Sequence, residues 1–75
     1  MTRIELIVQE LKYTICNQIE VNEIVITDLN YDKLIEIMNI VKLIEIVNYC
    51  ISFKIEKHLG CEIEYKMLIK IEKNH

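Results

Sequence analysis

The side chains able to make or break bonds are few and scattered. Cys61 and His58 lie three apart around Gly60, Ser52 precedes the histidine by six positions, and Cys16, Cys50 and His75 stand alone. A thiol attacks only as thiolate, and Cys61 has just Lys57 and His58 close in sequence to lower its pKa. Ser52 sits between Ile51 and Phe53, without the glycine-flanked turn that exposes a nucleophilic serine. His58, beside the chain's one glycine, reads as a turn residue, and one glycine cannot build a phosphate-cradling loop. Metal binding would require His58 and Cys61 to recruit two ligands from His75 and the distant cysteines. The expectation is no catalytic residue, no metal, no cofactor and no enzyme. An active site would have to be assembled between copies from Cys61, His58 and a carboxylate.

Lysine chemistry gives the alternative reading. Lys54, Lys57, Lys66, Lys70 and Lys73 cluster near the C-terminus, and Lys54, Lys66 and Lys70 are the candidates for contacting a phosphate backbone. Glu56, Glu62, Glu64 and Glu72 alternate with them, and the formal net charge is −3, so the field largely cancels. Glu20, Glu23, Asp28 and Asp32 form no more than an ordinary acidic rim, although a surface imitating nucleic acid would use such groups. Nucleic acid is therefore not the expected partner.

Periodicity supplies the elements that position these groups. Ile4, Ile7, Val8, Leu11, Ile15 and Ile19 recur at spacings of three and four, predicting an amphipathic helix capped by Thr2 with Glu5. Val21–Thr27, with Ile24, Val25 and Ile26 together, predicts a strand. A second helix is expected from Tyr31 to about Asn48, capped by Asp28 or Asn30. Within it KLIEIMNIV is followed by KLIEIVNYC, so Lys33, Glu36, Asn39, Lys42, Glu45 and Asn48 fall every third residue. Such steps spiral around a helix and leave no continuous polar face, while the charges exclude a membrane span. From Tyr49 the period is two. Ile51, Phe53 and Ile55, then Cys61, Ile63, Tyr65, Met67, Ile69 and Ile71, predict a hairpin turning at His58-Leu59-Gly60 with Gly60 left-handed. That register sets Ile55 against Ile63, Phe53 against Tyr65 and Ile51 against Met67 on one face, with Lys54 against Glu64 and the like-charged Glu56 against Glu62 on the other.

The expected fold is one α+β domain over residues 1–75, in the order α-β-α-β-β. Two helices pack on one face of a small three-stranded mixed sheet, with the last strand central and a C-terminal β-hairpin. At the level of element order, the stretch from Ile4 onward, with Glu23–Ile26 reading EIVI, resembles the chromatin protein family Alba. The resemblance implies architecture alone, because that family's initial strand and basic DNA-contacting loop have no counterpart before the first helix.

With 75 residues, folding buries about 60% of the unfolded chain's surface, and such a core needs a supplement. Three cysteines without CxxC spacing, and no basic-then-apolar leader, point to a reduced cytoplasmic protein whose cysteines are small buried hydrophobes. Association remains. Leu34, Ile37, Met38, Ile40, Val41, Leu43, Ile44, Ile46 and Val47 surround the second helix, and leaving three of them exposed forgoes roughly 4–9 kcal/mol. A homodimer through Leu34, Ile37, Val41 and Ile44 is the expected outcome. Sixteen isoleucines and no alanine, proline or tryptophan suggest an AT-rich genome. The functional expectation is an oligomeric inhibitor or regulator encoded by a phage, virus or plasmid, working in the host cytoplasm on a larger protein or protein–nucleic acid complex.

Overall fold

The computed structural model describes residues 2–74. Along it run α1 (Arg3–Cys16), β1 (Val21–Asp28), α2 (Tyr31–Val41), β2 (Tyr49–Leu59) and β3 (Ile63–Lys73), the α-β-α-β-β order expected. Thr2 Oγ1 accepts the Glu5 amide at 3.1 Å and starts α1 where the capping pattern placed it. The helix ends in a Schellman turn: the Ile19 amide donates to the Thr14 carbonyl at 3.0 Å and the Gln18 amide to that of Ile15 at 3.2 Å. This geometry forces Gln18 to φ 50°.

Strand β3 lies between β1 and β2, as its length suggested, and both contacts are antiparallel. The outer strands do run in the same direction, but β3 separates them, so the expected mixed sheet is corrected to an all-antiparallel one. The hairpin register also differs. Ile55 faces Met67, Phe53 faces Ile69 and Ile51 faces Ile71, which carries β2 two residues further, starts β3 two residues later and moves the turn to residues 60–62. The shift is even, so every side chain keeps its predicted face. The shift removes the Glu56–Glu62 repulsion, since Glu56 now faces Lys66 and His58 faces Glu64, while Lys54 exchanges its expected partner Glu64 for Leu68. Gly60 has no positive φ in this turn, and its amide donates to the Glu62 carbonyl at 3.3 Å.

Helix α2 stops seven residues before its expected end. Asn30 caps it, accepting the Asp32 amide at 2.9 Å, and it buries Leu34, Ile37 and Val41 against β1 and β3. Tight turns from Leu43 to Ile40 and from Ile44 to Val41 end the helix, and Ile44 and Ile46 pack back onto the core. That core joins Ile7 and Leu11 of α1 to Ile24, Ile26, Met67, Ile69, Ile71 and Tyr49.

Thr14 is the one buried polar residue among those described. Its hydroxyl donates to the Glu10 carbonyl at 2.7 Å and accepts from Asn22 Nδ2 at 2.8 Å, while Asn22 also reaches Glu10 Oε2 at 3.1 Å. The Tyr49 hydroxyl approaches the Thr14 carbonyl at 3.4 Å, tying the start of β2 to the end of α1. Every buried side-chain nitrogen and oxygen among the described residues thus has a hydrogen-bond partner. The cysteines are a correction: Cys16, Cys50 and Cys61 are free and all exposed, because Cys16 ends the wet side of α1, Cys50 lies on the outer sheet face and Cys61 sits in the hairpin turn. No helix among the described residues is long and apolar enough to cross a membrane.

Candidate interaction surface

The residues with chemical potential are kept apart. Ser52 points to the outer sheet face opposite Lys70; His58 lies six positions further along the same strand, roughly 20 Å away at strand rise. Its imidazole Nε2 is 4.0 Å from Glu56 Oε2, and Cys61 stands in the turn beyond. Among the described residues no three His, Cys, Asp or Glu side chains gather into a metal-binding group, and His75 lies outside those residues.

The three candidate nucleic-acid lysines do share the outer face, each beside a carboxylate. Lys54 Nζ is 3.2 Å from Glu56 Oε1 and Lys70 Nζ is 3.4 Å from Glu72 Oε2, while Lys66 faces Glu56 across the ladder. The hydrogen bond and charge of Lys54 hold the Glu56 carboxyl below its ordinary pKa, with Lys66 adding to the effect. Both signs are therefore present along this face at neutral pH, which leaves little net field for a phosphate backbone.

Apolar surface gathers at the opposite side of the molecule. The helix-dimer residues Leu34, Ile37 and Val41 come together as their spacing implied, but they face the sheet and are spent in the monomer's own core. Ile44 is half-buried and forms a wall of a groove of about 490 Å³ between α1 and the segment after α2. Val8, Leu11 and Ile15 form one side, Ile44, Ile46 and Val47 the other, with Lys12 and Glu45 at the rim. Leu43 and Val47 are each 82% exposed, far more than large apolar residues beside a core usually are. Sequence reasoning missed this groove because it kept Lys42–Asn48 helical. The signal was present in the three-residue period, which no single flat partner can cover.

Strand β2 is the second uncovered feature. The helices pack over β1 and β3, leaving Ile51, Phe53 and Ile55 half-buried on the helix side, with Lys42 Nζ 5.9 Å above the Phe53 ring. Leu59, on the same face near the hairpin tip, is 78% exposed. No protein-family model, curated protein or solved structure matches this chain.

Proposed function

We propose that the chain is a small non-catalytic interaction protein, an inhibitor or regulator of the kind phages, viruses and plasmids encode, which docks on a larger protein. The observation that carries this reading is the groove between α1 and the segment after α2, with Val47 exposed in its wall and Leu43 exposed on the same segment, next to Ile44 in sequence. Its occupant is an amphipathic segment of the target: apolar side chains fill the floor, and polar groups meet Lys12 and Glu45 at the rim. Burying Leu43 and Val47 would contribute about 1.5–3 kcal/mol each, enough to make them the anchors of the contact. An apolar groove on a chain of net charge −3 favours protein over nucleic acid as the target.

The test replaces both anchors, Leu43→Glu with Val47→Glu, in a chain used to capture proteins from its native host. Because both side chains are exposed, the variant keeps the wild-type circular dichroism and melting temperature while losing at least tenfold in affinity for the captured target. Equal capture by wild type and variant removes the groove as the docking site. Retention of labelled nucleic acid that weakens steeply with salt, lost on reversing Lys54, Lys66 and Lys70, moves the function to the outer sheet face.

A further inference from the structure

We infer that the free edge of β2 pairs antiparallel with the β2 edge of a second copy, with Ile55 on the twofold axis, joining two three-stranded sheets into one of six. The inference is independent of the groove and of its occupant. It starts from the backbone: β2 is an outer strand of 11 residues, long for a sheet edge, in a chain without proline. A row of unpaired amides and carbonyls of that length invites another strand.

Which strand follows from the side chains. Paired residues must lie on the same face, and in β2 the odd-numbered residues face the helices, so a twofold pairing must centre on one residue. Centring on Lys54 sets Lys54 against itself, centring on Glu56 sets Glu56 against itself, and centring on Lys57 does the same with Lys57; each juxtaposes like charges. Centring on Phe53 avoids repulsion but makes no ion pair. Centring on Ile55 sets Lys54 of each copy opposite Glu56 of the other, twice over, on the outer face. On the helix face it sets Ile51 opposite Leu59, giving the exposed Leu59 an apolar neighbour, and Phe53 opposite Lys57, within reach of a cation–π contact. The β1 edge, Val21–Asp28, offers no comparable charge match in its own twofold pairings. The second copy is thus selected by complementarity of β2 with itself.

Two experiments read the register. In a chain whose three cysteines are replaced by serine, Ile55→Cys places the new thiol opposite its symmetry mate, at the Cβ separation of a directly opposed pair, and mild oxidation forms a covalent dimer. Phe53→Cys and Lys57→Cys do so only when combined in one chain. In solution, Lys54→Glu or Glu56→Lys alone weakens the dimer about tenfold, since two attractive pairs become repulsive, and the double exchange restores it. Both residues lie on the outer face, so circular dichroism of these variants stays that of the wild type even should Ile55→Cys disturb the fold. A mass near 9.0 kDa at every concentration tested overturns the inference. So does a dimer indifferent to both charge reversals, or one cross-linked through Val25→Cys on β1 and not through Ile55→Cys. The Leu43→Glu/Val47→Glu variant keeps the dimer, so failure of the groove reading and failure of this one are separately visible.

Discussion

Gln18 holds a backbone conformation that costs an L-residue with a Cβ roughly 1–2 kcal/mol, and it does so because the Schellman turn needs a left-handed residue before Ile19. Glycine adopts that conformation freely, so Gln18→Gly is expected to raise unfolding stability by about 0.5–1 kcal/mol, measured by urea denaturation. Gly60 behaves in the opposite way. Its φ is not positive, and a Cβ built there meets only the Glu62 carbonyl oxygen at an ordinary 3.9 Å. Gly60→Val is therefore expected to change stability by no more than about 0.5 kcal/mol, where a left-handed glycine in a tighter turn would have lost more than 1 kcal/mol. The composition pointed to the single glycine as the special backbone position. The left-handed residues among those described are instead Gln18 and Asn48, and nothing in residue type marks the former, because its conformation is imposed by the helix end before it.

Between elements, the tie most sensitive to conditions joins the start of α1 to the end of β1. Arg3 Nη1 lies 2.6 Å from Asp28 Oδ2, and Asp28 Oδ1 accepts the Asn30 amide at 2.8 Å, just where Asn30 caps α2. The Asn30 amide first, and the Arg3 guanidinium second, hold the Asp28 carboxyl below its ordinary pKa. A depressed carboxyl stabilises the fold above its unfolded value, near 3.8, and that contribution is lost as pH falls through the lower folded value. The stability gap between wild type and Asp28→Asn should accordingly be steady above about pH 5 and close as pH drops below about 4, seen in melts across an acid series. A gap unchanged at pH 2.5 would assign the loss to something other than the charge. The elements themselves were legible where one face dominated: α1, the β1 run and the alternation of both hairpin strands stand, although Ile15 of the expected α1 stripe is exposed and Ile19 lies beyond the helix end. The end of α2 was not, since seven further apolar-rich residues could be read as helix until the sheet beneath them ran out.

For the whole molecule, the reading of two helices over one sheet face survives, while the direction of neighbouring strands and the hairpin register were settled by tertiary pairing that no local pattern encodes. The groove joins two segments distant in sequence, Val8 to Ile15 and Ile44 to Val47, and it opens only once the second of them leaves the helix. The place of β3 has a consequence in time as well as in space. It is the strand between the others and also the last of the five elements along the chain, so neither β1 nor β2 has a neighbour to bond until Ile63–Lys73 has been synthesised. Most of the sheet must therefore form late and in a single step, at the slow rates of distant strand pairings, while α1 can coil as soon as it emerges. A ribosome stalled before residue 63 would carry two apolar strands with nothing to close them.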